Sequence, residues 1–166
     1  MDQILPRWKS DLEGLIKVNV DGTFLEDIPR LRVGGVVCGH DGSWIVGFIH
    51  FENGSDALMA DIRAIQLVIT TCYNFGCTNI LCESDCLETV NLIHNLKNAS
   101  LHVYALLPEI TDALHHETVN LVHILREHNI CANFMAKETS YSAYSAHWTR
   151  PPAGIESLLL KDNLAS

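Results

Sequence analysis

Lys17-Val-Asn-Val-Asp21-Gly-Thr23 decides the fold class, because its side chains alternate between apolar and polar. Val18 and Val20 lie on one side of an extended chain, and Lys17, Asn19 and Asp21 on the other, which is the pattern of a half-buried strand. The run closes on an acid followed by a glycine, so a carboxylate stands where the strand approaches its end.

Further along, Gly34-Gly-Val-Val-Cys38 and Trp44–Phe51 read as a second and a third strand. Gly39-His-Asp-Gly42 between them contains Asp-Gly, a strong hairpin signal because both residues tolerate positive φ. The three strands are expected to run as an antiparallel meander. The period then changes: Leu58, Ile62, Ile65, Ile69 and Cys72 recur at three- and four-residue steps, with Ser55 as N-cap and Gly76 as stop. Asn79–Ser84 reads as a fourth strand and Asp85–Lys97 as a short helix. Leu101–His116 is helical in pattern, with Pro108 kinking or restarting it. Thr118–Leu125 is the last strand, and Ile130–Lys137 the last helix. The order β-β-β-α-β-α-α-β-α predicts an α/β protein with a five-stranded mixed sheet, three antiparallel strands plus two more, flanked by helices. Residues 15–140 are read as the domain, 1–14 as a lead-in, and 141–166 as a tail that docks through Leu158-Leu-Leu160.

With 166 residues and 48% hydrophobic composition, the chain suffices for one well-buried core and is too short for two ordinary domains. No apolar run is long enough for a bilayer, and Met1–Trp8 lacks a signal-peptide layout. The expectation is a soluble, intracellular chain with no membrane partner, monomeric, with nucleus and cytoplasm not distinguished. Six cysteines without paired CxxC spacing are expected as reduced thiols rather than bridges or a zinc site. A net charge of −9 argues against tight non-specific binding of nucleic acid, which draws on basic surfaces. An enzyme that meets phosphates through bound cations escapes that objection.

Asp21, Asp61 and Asp85 are carboxylates gathered from distant segments, as a divalent-metal phosphodiesterase site requires. Each also has a plain structural reading. Asp21 before Gly22 could close a turn. Asp61 shares a helix face with Leu58 and Ile65, where a carboxylate is costly unless paired, metal-bound or at the stripe's edge. Asp85 and Glu88 match the N-cap and N3 positions of a capping box.

These stretches, with Gly34–Ile45, Met59-Ala-Asp-Ile62, Cys82-Glu-Ser-Asp-Cys86, His123–Asn129 and Ala132–Ala136, occur in the order found in the ribonuclease H-like domain, and the chain resembles its plant, retroelement reverse-transcriptase-related branch. The resemblance implies hydrolysis of the RNA strand of an RNA–DNA hybrid. Two Mg²⁺ (or Mn²⁺) ions would flank the scissile phosphate, one activating water and the other stabilising the leaving oxygen. The hybrid would be recognised by backbone shape and ribose 2′-hydroxyls.

Carried over singly, the family's metal-bridging Asp falls on Asp21 and its helix Glu on Asp61, with reach shortened by roughly 1.5 Å. Its strand-end Asp falls on Asp85. Its last Asp falls on Asn133, with Asn129 as the Asn that precedes it by four residues. Gly22, Thr23, Asn129 and Arg126 are the implied substrate-binding residues, and Arg63, Lys97 and Lys137 join Arg126 as candidate phosphate contacts. The family's flexible-loop His has only His128 nearby. Asn133 offers a carbonyl oxygen but no charge, and a charge pair at ~4 Å is worth on the order of 4 kcal/mol at an effective dielectric of 20. Two functions therefore stand: a metal-dependent hybrid ribonuclease weakened at one ligand, or a degenerate module that binds nucleic acid or protein.

Overall fold

The alternation at Lys17–Thr23 is realised as β1 (Ile16–Leu25) in the computed structural model, which describes residues 14–25, 30–54, 56–74, 79–95, 110, 119–138, 146–148, 150–155 and 157–158. β2 (Arg30–Cys38) and β3 (Trp44–Asn53) follow antiparallel. At the tip joining them, Gly42 has φ +82°, and Asp41 Oδ1 accepts from both the backbone N–H and the hydroxyl of Ser43. β1 and β2 are longer than the apolar alternation suggested, because pairing continues through Phe24↔Leu31 to Leu25↔Arg30.

α1 (Ala57–Asn74) crosses one face of the sheet. Its cap is Asp56, whose Oδ1 accepts from Met59 N–H at 2.8 Å; the expected cap Ser55 and stop Gly76 lie outside the described residues. β4 (Ile80–Ser84) and β5 (Val119–His123) extend the sheet in parallel with β1, giving the predicted five-stranded mixed sheet. A sixth strand that the sequence did not suggest, β6 (Ala146–Trp148), pairs with β3, and the strand order is β5-β4-β1-β2-β3-β6. α2 (Leu87–Asn95) follows β4, and α3 (Ile130–Glu138) packs on the other face of the sheet, mainly against β2 and β1. α2 begins later than expected, so Cys86 rather than Asp85 adjoins its first turn and the capping box at Asp85 and Glu88 does not form. The predicted helix over Leu101–His116 falls outside the described residues except for Ile110, which is buried in the core.

Two cores divide the sheet's faces. Val18, Val20, Val33, Val37, Ile62, Ile65 and Ile69 belong to the larger one, under α1. Val36, Ile49, Cys131, Met135 and Ile155 form the smaller one, under α3. Each fully buried aliphatic side chain contributes roughly 1.5–3 kcal/mol to holding these layers together. Leu158 packs on the smaller core. Cys38, Cys72, Cys82 and Cys131 are buried reduced thiols and Cys86 is a half-buried one; burial pushes Cys82 up to about 12. Arg32, beneath α3, donates from Nη1 to Ala136 O near the end of that helix and lies 5.3 Å from the Phe51 ring centroid.

Candidate active site

β1 and β4 run side by side from Ile16↔Ile80 to Val20↔Ser84; there β4 stops and β1 continues. A concavity of about 470 Å³ opens at that step. The carboxyl ends of adjacent parallel strands are where α/β sheets commonly gather ligand-binding groups. Because β4 ends, side chains from both faces of the sheet reach the same space.

Asp21 projects toward α3, and its Oδ2 accepts a hydrogen bond from Asn133 Nδ2 at 2.9 Å. Asn133 sits in the first turn of α3, where its backbone N–H donates to Asn129 O. Asn129 is fully buried: its Nδ2 donates to Val20 O at 2.9 Å, and its Oδ1 accepts from Asn19 Nδ2 at 3.0 Å. The entry to α3 is thereby fastened to the two β1 residues that precede Asp21.

Asp61 arrives from α1. Its Oδ1 accepts from Gly22 N–H at 3.0 Å. This bond depends on Gly22 having no side chain, since a Cβ there would lie 2.3 Å from Ala60 C and 2.6 Å from Asp61 N. The close passage of α1 over β1 is what brings the shorter acid to the strand. Asp85 is the residue just past β4, half-buried on the wall of the concavity. Cys86 follows it, anchored by its N–H to Ser84 Oγ, and Thr89 Oγ1 donates to its sulfur at 3.0 Å.

Burial pushes the Asp61 carboxyl up to about 7; the charges of Asp21 and Asp85 add to the rise, and hydrogen bonds from Cys86 and Gly22 oppose it. Burial likewise raises the Cys86 thiol, so it stays protonated at neutral pH. Of the described residues lining the concavity, Arg126 alone is cationic, and it is exposed at the mouth. A carboxyl that resists ionisation beside two others is a setting that a nearby positive charge would stabilise. The donors are carboxylate and amide oxygens, the hard set that suits Mg²⁺ or Mn²⁺. Among the described residues no three His, Cys, Asp or Glu side chains already converge as ligands of one ion. Asp21 is turned to Asn133, and Asp61 to Gly22.

Of the residues singled out in the sequence, Asp21, Asp61, Asp85, Asn133, Gly22, Thr23 and Arg126 line this one concavity. Asn129 does not: it is 0% exposed, and its side chain bonds Asn19 and Val20, tying the entry of α3 to β1. Arg63 is also spent elsewhere, on Glu52 at 2.5 Å and on Gln66. Lys97 lies outside the described residues, as does the side chain of Lys137. Phe24, Ala57 and Cys86 line the concavity without having been singled out. Adjacency to Asp85 was the one available sign for Cys86.

Residues 19–139 match a family model described as reverse transcriptase-like. A search among curated proteins gave no match. Among solved structures, RNase H1 from Halobacterium salinarum is 17% identical with TM-score 0.65, over 77% of this chain and 98% of its own. The N-terminal RNase H domain of a Mycobacterium tuberculosis protein is 16% identical with TM-score 0.67, over 78% and 95%. LC11-RNase H1, from compost, in complex with RNA/DNA hybrid, is 16% identical with TM-score 0.66, over 76% and 99%. At such identities the likeness is one of fold.

Proposed function

The chain belongs to the reverse transcriptase-like family, and on that premise we propose that it hydrolyses the RNA strand of RNA–DNA hybrids with the help of Mg²⁺ or Mn²⁺. The observation that supports this most is the meeting of Asp21, Asp61 and Asp85, from β1, α1 and the end of β4, in one concavity. The substrate class is carried over from LC11-RNase H1, which was solved with an RNA/DNA hybrid.

Asp21, Asp61 and Asp85 would hold the metal, which when bound supplies Lewis acidity toward a phosphodiester and a lowered pKa for water. The chain's own residues prepare the rest. The Gly22 N–H fixes the direction of the Asp61 carboxyl, and the Asn19–Asn129 pair keeps Asp21 and Asn133 in register. Arg126, exposed at the mouth, offers a guanidinium to a backbone phosphate, and Thr23 and Phe24 form the wall beside it. Contacts of this kind read backbone rather than base edges, which suits hydrolysis without sequence preference.

The test is cleavage of a labelled RNA–DNA hybrid in Mg²⁺ and in Mn²⁺, with Asp21→Asn as control. Cleavage that Asp21→Asn abolishes supports the reading; cleavage that it leaves untouched overturns it. One observation favours a second reading, a module that binds nucleic acid or protein without catalysis: Asn133 gives Asp21 a hydrogen-bond donor in place of a fourth acid. Under that reading wild type and Asp21→Asn are equally inert, and Asn133→Asp gains cleavage.

A further inference from the structure

We infer that the concavity takes one divalent cation rather than two, because Asn133 Nδ2 stands as a donor against the Asp21 oxygen that a second ion would need. The inference rests on the reading of the concavity as a divalent-cation site and concerns how that site is filled. An amide N–H₂ presents partially positive hydrogens, so at 2.9 Å from Asp21 Oδ2 it occupies the direction from which a cation would approach that oxygen. Mg²⁺ bonds its oxygens at about 2.0–2.1 Å and tolerates little distortion, so donor and ion cannot share that approach.

The amide is not easily turned aside. The Asn133 N–H donates to Asn129 O, and Asn129 is locked by Asn19 and Val20, so the first turn of α3 keeps its place beside β1. A half-turn of the amide group alone would give up the bond to Asp21 Oδ2 and offer only an uncharged oxygen in its place, and Asp21 is only 7% exposed to the water that could replace that bond. Charge leads to the same count. Two divalent ions bring four positive charges, which a fourth carboxylate would balance; Asp21, Asp61 and Asp85 bring three at most. One ion held by Asp61, Asp85 and the other Asp21 oxygen would leave Asp21 Oδ2 its bond to Asn133.

The number of ions bound is read directly by titrating the full chain with Mn²⁺, following free Mn²⁺ by electron paramagnetic resonance and heat by calorimetry, with circular dichroism to verify that each variant is folded. The expected result is one Mn²⁺ per chain for wild type, none for Asp21→Asn with Asp61→Asn, and two for Asn133→Asp. Two ions on wild type, or one still on folded Asn133→Asp, overturns the inference while leaving the cation site standing. No ion on wild type, or binding unchanged in the double variant, overturns the cation site and the inference with it. Should Asn133→Asp fail to fold, the wild-type count decides alone.

Discussion

Asn133 Nδ2 donates to Asp21 Oδ2 at 2.9 Å, joining the first turn of α3 to the strand that carries the most buried acid of the concavity. On the proposed reading Asn133 stands for a lost negative charge. In the structure it is also a gained bond, and the two consequences pull apart. Losing the charge weakens attraction for a cation. Gaining a donor gives Asp21 Oδ2 a hydrogen-bond partner without one.

Asn133→Asp therefore exchanges resting stability for cation affinity. Without divalent metal, the new carboxylate faces Asp21 in a partly buried position, and the variant should melt below wild type. With Mg²⁺ the order should reverse, and hybrid cleavage should rise by about 10- to 100-fold, a screened charge interaction less its desolvation. Thermal melts with and without Mg²⁺, beside a cleavage assay, check both halves.

Asn129→Ala tests the link beneath the site. The substitution leaves Asn19 Nδ2 without its acceptor and Val20 O without its side-chain donor, both in a buried setting. Urea denaturation should show a loss of roughly 2–4 kcal/mol. Adding Asn19→Ala to it should cost much less than the sum of the two single changes, because they break one shared bond.

Gly22→Ala probes the passage of α1 over β1. The added methyl would sit 2.5 Å from Ala60 O, against backbone that cannot rotate away. The expected loss is about 3 kcal/mol or more, or else a displaced α1 with Asp61 pulled from the Gly22 N–H. Gly34→Ala makes the matching clash with Ala136 N under α3, at 2.4 Å. It should cost similar stability while leaving the Asp61 contact in place, so comparing the two separates a packing defect from a site defect.

Asp61, raised to about 7, links the site to pH with a definite sign. Its folded pKa lies above its unfolded one, so in the absence of metal the group destabilises the fold progressively from about pH 4 to pH 7 and no further above that. Asp61→Asn should then be more stable than wild type at pH 8, by roughly 1–3 kcal/mol, and indistinguishable near pH 3.5. Because a cation must displace the same proton, cleavage by wild type should climb through pH 6–7 and level off beyond it. Melts of both proteins across pH in a chelator, and a pH–rate profile in Mg²⁺, test the two limbs.

Much of this was legible because it is local. The alternation around Val18 and Val20, the Asp-Gly turn and the stripe of Leu58, Ile62, Ile65 and Ile69 each state their element within a few residues, and the structure has those elements. The acids could be placed at strand ends and on a helix from the same patterns. The packing of Asn129 could not be read, because what fixes it is a bond to Asn19, 110 residues away. β6 spans three residues, too few to show a period. Asp56 caps α1, and because its neighbour Ser55 is an equally good capping residue the sequence held nothing to single it out. That Asn133 turns its nitrogen to Asp21 follows from the spacing of α3 and β1, a tertiary fact.

Arg126 is the one exposed cation of the site among the described residues, and its removal distinguishes a phosphate contact from an ordinary surface charge. It stands exposed in the short 3-10 turn Arg126–His128, its guanidinium making no bond among the described residues, so Arg126→Ala should leave stability within about 0.5 kcal/mol of wild type. If it meets a hybrid backbone, KM should rise by roughly 3- to 10-fold with kcat little changed, since a contact made equally in ground and transition states affects binding alone. The dependence of binding on salt should weaken at the same time, the slope of log K against log salt falling by about 1, as one fewer counterion is released. Arg126→Lys should recover the salt slope but only part of the affinity, because a point charge lacks the fork that grips phosphate in two places. An unchanged salt slope in Arg126→Ala would show that the guanidinium does not meet the backbone, whatever happens to KM.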